Sequence, residues 1–419
     1  MQTVCVMGLG YIGLPTASIL AANGFKVLGV DISERVVDTV NSGQVHIDEP
    51  GLQTLVKAAI GSGNLRAARE PDKADIFIVA VPTPVMEDKR ADLSCVTGAV
   101  KSLIPCLRAG NLIILESTSP PGTCRNVLVP MLSESGWRPG RDIHLAYCPE
   151  RVLPGSILRE LIANDRVVGG YDQTSAELAR DMYASFVEGG IVLTDLTTAE
   201  MVKVTENTFR DVNIALANET ALLCEALGID FWEVARLANR HPRVNLHQAG
   251  PGVGGHCIPV DPWFLVEQFP ETAQLIHLAR RRNDAMPGRV VARVRGLIEG
   301  IADPKVAVLG LAFKSGVGDI RESPALAVVA GLQEAGIHVA AHDPHVGTCP
   351  VVLCGIEHAL TGADCLVILT GHSAFKGLDP RAAAGLMRHR LLYDTRNVVN
   401  HAGWREAGFE VHVLGSGKA

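Results

Sequence analysis

The chain of 419 residues lacks a cluster of positive charge: its 38 lysines and arginines are scattered and outnumbered by 45 acidic residues, for a formal charge of −7. That balance argues against a nucleic-acid surface or a polybasic membrane contact. No apolar run approaches the ~18 residues of a membrane span, and the first residues open on a strand rather than on a charged region followed by a signal core. A cytoplasmic protein is therefore expected. Ten cysteines are dilute in this length and none forms a C-x-x-C pair, so the spacing of zinc and dithiol sites is missing and reduced thiols without a metal are expected. What the chain does have is apolar residues, 47% of the total. That is enough for two or three domains, each with its own core.

Element types alternate from the start. "TVCVMGLG", the helical run "LPTASILAANG" and "KVLGVD" read as strand, helix, strand. Buried-strand candidates recur at 75–84, 111–119, 142–150 and 190–194, separated by helix-length segments. This is the pattern of a doubly wound, mostly parallel sheet. Residues 197–228 then run without proline or glycine until Gly228, with Thr197 and Glu200 spaced as a capping box. They predict one helix of about 30 residues, roughly 45 Å long. Helical segments continue through "FWEVARLANR" and "AQLIHLARRRNDAM", and "KVAVLGLAF" at 305 restarts the sheet pattern, with Ser323 and Pro324 marking a helix start and "IHVAAHD" the next strand. The expected fold is α/β: two Rossmann-like doubly wound modules, 1–196 and 299–419, joined by a helical middle domain, 197–298, that contains the long central helix.

The first module carries "GLGYIG", Gly8 to Gly13, between strand and helix, with Asp31 closing the second strand 21 residues after Gly10. In that context Gly8 makes the tight turn, Gly10 admits a pyrophosphate, and Gly13 lets helix and strand pack closely. Tyr11 and Ile12 lie where their backbone meets phosphate at the helix N-terminus. Asp31 accepts from a ribose and repels a 2′-phosphate, which favours NAD over NADP. The second module keeps Gly310 but not the rest of the pattern, and places Lys314 and Arg321 in and after its first loop. Two cations there suit a different phosphorylated ligand, or a solvated loop.

On the long helix Lys203, Asn207 and Arg210 follow one face, a stripe suited to sugar hydroxyls and phosphate. In "GPGVGGHCIPVDPW", Cys257 sits among glycines, with Asp261 four residues on. Cys5 and Cys365 lie instead among aliphatic residues, as buried structural cysteines do. Glycines around Cys257 allow a close backbone approach. The residues alone leave a tight turn and a reactive site both open.

Together "GLGYIGLPTA", "VPTP", "EST", "CPERVLPG", the Lys203/Asn207 helix, "GPGVGGHC" with Asp261, and "GLAFK…RESPA" resemble the UDP-glucose/GDP-mannose dehydrogenase family, over nearly the whole chain and in the expected order. The resemblance implies oxidation of a UDP-sugar C6 alcohol to a carboxylate with two NAD, and Cys257 as the nucleophile. It implies that Lys203 and Asn207 stabilise the oxygen that becomes charged, that Asp261 takes part in proton transfer, and that Glu150 activates water. Thr118 is placed by it near the nicotinamide, Thr83 near the cofactor ribose and Arg321 near the cofactor. Arg151, Val152, Arg210, Gly254, Phe313 and Lys314 are implied to line the UDP-sugar along with Lys203 and Asn207. His241 and Arg243 are implied to contact substrate, from a neighbouring subunit of a homodimer built through the helical domain.

The glucose enzymes carry a second glutamate where this chain has Pro154, which counts against UDP-glucose. "AYCPERVLPG", "TENTFRDVNIALANE" and "ANRHPRVN" are most similar to the branch that oxidises UDP-N-acetyl-D-mannosamine for bacterial surface polysaccharides. UDP-N-acetyl-D-glucosamine, the C2 epimer, is the alternative substrate. A one-step dehydrogenase of the 6-phosphogluconate or hydroxyacyl type leaves no role for Cys257 or for a second α/β module. A catalytically silent NAD-binding regulatory protein is the remote alternative.

Overall fold

A computed structural model of the chain describes residues 2–417. They divide into two compact units: residues 2–206 with Trp263–Gln268, and Asn207–Pro262 with residues 269–417.

In the first unit eight strands form one sheet: β1 (Thr3–Met7), β2 (Lys26–Val30), β3 (Leu65–Ala68), β4 (Ile76–Val79), β5 (Leu112–Leu115), β6 (His144–Tyr147), β7 (Arg166–Gly170) and β8 (Ile191–Asp195). Their order is β3-β2-β1-β4-β5-β6-β7-β8. The first six follow the dinucleotide-fold order, and only the β6–β7 pair is antiparallel. Alternation along each strand feeds two cores: Val4, Val6, Ile78 and Ile114 face one layer of helices, while Cys5, Met7, Phe77 and Ile113 face the other. Neither β3 nor β7 carries a strand signal in the sequence, because "LRAA" and "RVVGG" are short and each carries an arginine.

In the second unit β9 (Lys305–Leu309), β10 (His338–His342), β11 (Cys365–Ile368), β12 (Leu391–Asp394) and β13 (Glu410–Val413) form a parallel sheet of order β10-β9-β11-β12-β13. In each module the strand order reverses once, so each is doubly wound. The helices Phe231–Ala238, Gln274–Asp284 and Met286–Leu297 belong to this unit as well.

The long helix spans Leu196–Leu227, 32 residues. Its N-terminus is not closed by the Thr197/Glu200 box. Asp195 accepts from Thr198 N at 3.1 Å and from the Thr198 hydroxyl. Glu200, fully buried, instead accepts from Gly122 N and from Cys124 N at 2.8 Å, tying down the turn after β5. An acceptor in the extended strand end reaches the first-turn N–H groups without competing for that tertiary role.

Among the described residues, no helix is long and apolar enough to cross a membrane.

Candidate functional site

The β1 turn has the shape of a dinucleotide cradle. Gly8 adopts φ +92°, and a Cβ there would meet Ala80 O at 2.7 Å; one on Gly13 would meet Gly8 O at 1.8 Å. A Cβ on Gly10 would meet nothing within 4 Å, so the turn is closed below and open above. No side chain caps the N-terminus of the Gly13–Ala22 helix at Ile12, beside Tyr11, so its first turn is available to an anion. Asp31 accepts from Leu9 N through Oδ2 at 3.0 Å and from Ser33 N through Oδ1 at 2.9 Å, which fixes its carboxylate at the edge of the cradle. These residues fit a dinucleotide. The segments after β4 and β5 are pinned together: the Thr83 hydroxyl donates to Thr118 O and the Ser117 hydroxyl to Val81 O at 2.7 Å.

Glu150 follows β6 and is 8% exposed. Its Oε1 pairs with Nη1 of Arg166 on β7 at 3.0 Å, and its carbonyl accepts from Lys203 Nζ at 2.7 Å. Burial pushes the Glu150 carboxyl up, against the pull of Arg166 and Lys203. A second carboxylate, Glu116, accepts from the Tyr183 hydroxyl at 2.5 Å. Burial and the neighbouring Glu150 charge push it up to about 7. The Arg166 guanidinium lies 4.5 Å from the Tyr183 ring centre. Arg166 is not marked by the sequence, and Glu116 enters it only as the first residue of "EST", with no role assigned. An arginine inside a buried strand was the available signal, since such a charge requires a carboxylate. Arg151 pairs with Glu206 at 2.6 Å, and Val152 packs on the sheet core.

In the second unit, Asn207 Nδ2 donates to Asp261 Oδ2 at 2.5 Å, both side chains buried. Asp261 N in turn donates to the carbonyl of Cys257 at 2.9 Å, so Cys257 and Asp261 share one turn. Cys257 is half-buried, whereas Cys5 and Cys365 are fully buried and burial pushes each of their thiols up to about 12. The glycines before Cys257 are required by what they touch. A Cβ on Gly254 would meet Phe313 Cβ at 2.6 Å and Glu322 O at 2.7 Å; one on Gly255, at φ +88°, would meet the Phe313 ring at 3.0 Å. Gly255 N also donates to Arg321 O at 3.0 Å. The cysteine turn is therefore pressed against the loop that holds Phe313 and Lys314. At the start of the run, Gly250 N donates to Asn218 Oδ1 at 2.9 Å.

Arg321 chelates Asp319, with Nε to Oδ1 at 2.9 Å. Arg210, His241 and Arg243 are exposed. Arg396 is a further residue that sequence reasoning missed. Its Nε donates to Leu369 O at 3.0 Å, its Nη1 lies 2.4 Å from where a Gly250 Cβ would stand, and no carboxylate forms an ion pair with it among the described residues. Dense enclosure lowers its guanidinium to about 10, Asp394 acting against the shift. A guanidinium so placed beside the glycine run is suited to an anion.

Comparison with known proteins agrees with this geometry. Residues 2–187 match the NAD binding domain of the UDP-glucose/GDP-mannose dehydrogenase family, 197–285 its central domain, and 307–401 its UDP binding domain. The UDP-N-acetyl-D-mannosamine dehydrogenase of Methanococcus maripaludis is 46% identical, with 100% of this chain and 98% of that protein covered. An NDP-N-acetyl-D-galactosaminuronic acid dehydrogenase of Ralstonia nicotianae is also 46% identical, over 95% of this chain and 96% of its own length. Among solved structures, the UDP-D-ManNAc dehydrogenase of Pyrococcus horikoshii superposes with a TM-score of 0.95 at 40% identity, each chain covered completely. The chain belongs to the UDP-glucose/GDP-mannose dehydrogenase family and is an NAD-dependent UDP-sugar dehydrogenase.

Proposed function

We propose that the chain oxidises the C6 alcohol of UDP-N-acetyl-D-mannosamine to UDP-N-acetyl-D-mannosaminuronate by way of a thioester on Cys257. The observation that carries the reading is the cysteine turn: a half-buried thiol in one turn with Asp261, behind glycines closed against Phe313 and Glu322. NAD supplies the hydride acceptor, once for each two-electron oxidation. The first oxidation yields the aldehyde. The Cys257 thiolate then forms a bond to the aldehyde carbon as the carbonyl oxygen takes up a proton, and the resulting thiohemiacetal gives up its C6 hydride to the second NAD and its hydroxyl proton to a base to become a thioester. Water adds to the thioester carbon, the C–S bond breaks, and acid and thiol are released.

Glu150 takes the proton from that water; its burial beside Arg166 supports the role, since an enclosed carboxylate raised above its ordinary range is a better base near neutral pH. Lys203 and Asn207 stabilise the oxygen that gains charge, and Asp261 orients Asn207 and relays a proton. Thr83, Thr118, Asp31, Arg321 and the Gly8–Gly13 turn belong to the NAD side. Arg151, Val152, Arg210, Gly254, Phe313 and Lys314 belong to the UDP-sugar, with His241 and Arg243 supplied by a neighbouring subunit. A homodimer through the helical domain is supported by Phe209, Leu216 and Leu223, each more than half exposed and seven residues apart on the long helix. The functional division is 1–196 for NAD, 197–298 for the helical domain and 299–419 for the UDP-sugar. The product serves a bacterial surface polysaccharide, made from the cytoplasm.

The substrate assignment is supported by the mannosamine dehydrogenases among the relatives and by the family resemblance, which places Pro154 where the glucose enzymes carry a second glutamate. Initial rates of NADH formation with UDP-linked N-acetylmannosamine, N-acetylglucosamine, N-acetylgalactosamine and glucose test it. The mannosamine substrate is expected to give the highest kcat/KM and two NADH per sugar. A higher value with the glucosamine epimer transfers the assignment to that sugar, and one NADH per sugar removes the thioester route.

A further inference from the structure

The two modules repeat one detail closely enough for their difference to be informative. After β1, Gly8 N donates to Val30 O at 2.7 Å and Leu9 N to Asp31 Oδ2 at 3.0 Å. After β9, Gly310 N donates to His342 O at 2.8 Å and Leu311 N to Asp343 Oδ2 at 2.6 Å. Gly8 and Gly310 have φ of +92° and +89°. Asp343 thus occupies the place that Asp31 holds in the NAD module. Its carboxylate, however, is fully enclosed. It accepts from Leu311 N, Ala312 N, His345 N and Val346 N, and lies 3.0 Å from Nε2 of His372. Burial alone would raise this carboxyl, but His372 and the backbone donors together hold it well below the usual carboxylate range.

His372 is itself fully buried. Gly316 N donates to its Nδ1 at 3.0 Å, so Nδ1 is an acceptor, and Nε2 carries the hydrogen that points at Asp343. The neighbouring carbonyl of Gly371 accepts from the Ser315 hydroxyl at 2.7 Å. His372 and its neighbour therefore hold the middle of the loop that begins at Phe313 and returns through Phe313 N to Asp319 O at 3.0 Å. The same loop receives the Gly254–Gly255 turn on Phe313 and, just beyond Asp319, on Arg321 O.

We propose that Asp343 and His372 form a positioning pair for the UDP-sugar: the aspartate that serves a ribose in the first module has become, in the second, the anchor of a histidine that clamps the substrate loop. The pair sets Lys314 and Phe313 for the UDP part and, through Phe313, sets the turn before Cys257. Neither residue touches the reacting atoms. The proposal rests on the reading of Phe313 and Lys314 as UDP-sugar contacts.

The test uses the full-length enzyme, with UDP and NAD affinities measured separately by titration calorimetry and KM and kcat measured with UDP-N-acetyl-D-mannosamine. His372→Gln keeps an N–H towards Asp343 and loses the acceptor for Gly316. It is expected to weaken UDP and raise the sugar KM about tenfold, the worth of one well-placed hydrogen bond, with NAD affinity unchanged. His372→Asn keeps an acceptor near the Nδ1 position but loses the N–H towards Asp343, so it is expected to recover only part of the UDP affinity lost in His372→Gln, at a lower Tm. A folded His372→Gln enzyme with wild-type UDP affinity, or with equal losses for UDP and NAD, overturns the proposal. Should that variant not fold, Asp343→Asn, which weakens the acceptor that anchors His372, is expected to weaken UDP by about threefold with NAD affinity unchanged, and an unchanged UDP affinity overturns the proposal equally. Lys314→Ala is the control for the underlying reading. If it leaves UDP affinity intact, the loop is not the UDP site and the proposal falls with that reading. If it weakens UDP while the His372 variants do not, only the positioning role fails.

Discussion

Arg166 holds Glu150 through Nη1 and Oε1 at 3.0 Å, with side-chain exposures of only 4% and 9%. Removing one partner of such a pair strands a charge in a low-dielectric interior. Arg166→Met is therefore expected to destabilise the protein by about 3–5 kcal/mol, read as a shift in the urea midpoint. Glu150→Gln, which leaves a neutral amide that accepts from the same guanidinium, is expected to cost less stability but to stop product release. A loss of stability below about 1 kcal/mol for Arg166→Met would show that the pair is solvated.

Glu116 makes the stability of this cluster depend on pH. Its carboxyl is raised from 4.5 to about 7, so between these values the folded protein binds more protons than the unfolded chain. The resulting stabilisation is complete below about 4.5 and is lost as pH rises through about 7. Glu150 is raised as well and acts in the same direction. Glu116→Gln, which still accepts from Tyr183, is expected to match wild type in Tm at pH 5 and to exceed it at pH 8. Melting curves of the two proteins that stay parallel across that range would contradict the assignment.

Asp31 has two duties, since it holds Leu9 N and Ser33 N while facing the cradle. Asp31→Ala is expected to weaken NAD at least about tenfold, to relax the discrimination against NADP, and to lower Tm because two backbone donors lose their acceptor. Steady-state kinetics with both cofactors check this. Equal use of NAD and NADP by the unmodified enzyme would contradict the role given to Asp31.

The features legible in the sequence were those built from neighbouring residues. The Gly8–Gly13 turn and Asp31 needed only the strand–turn–helix context, and the long helix only its unbroken run. Features that depend on residues distant in the chain were not legible. Asp343 ends its strand as Asp31 does, and nothing nearby says that His372, 29 residues later, encloses it. Glu150 is supplied by the family resemblance, but its partner Arg166 sits on β7, a short strand that carries a charge and so gives no strand signal. Thr197 and Glu200 matched a capping box by spacing, yet Glu200 is turned to Gly122 and Cys124, some 76 residues earlier. The glycines around Cys257 were visible; that they accommodate Phe313 was not.

The fate of the acyl group on Cys257 tests the account most directly. NADH released per UDP-N-acetyl-D-mannosamine consumed, followed together with the intact mass of the enzyme, reads it for wild type, Cys257→Ser and Cys257→Ala. Wild type is expected to release two NADH per sugar with little free aldehyde. Cys257→Ser is expected to turn over slower by orders of magnitude and to accumulate a mass increase equal to the UDP-sugar acyl group, because an ester hydrolyses less readily than a thioester. Cys257→Ala is expected to form no acid while binding NAD normally. Near-normal release of two NADH per sugar by Cys257→Ala would contradict the account, leaving Cys257 a turn residue and the second oxidation in need of another nucleophile.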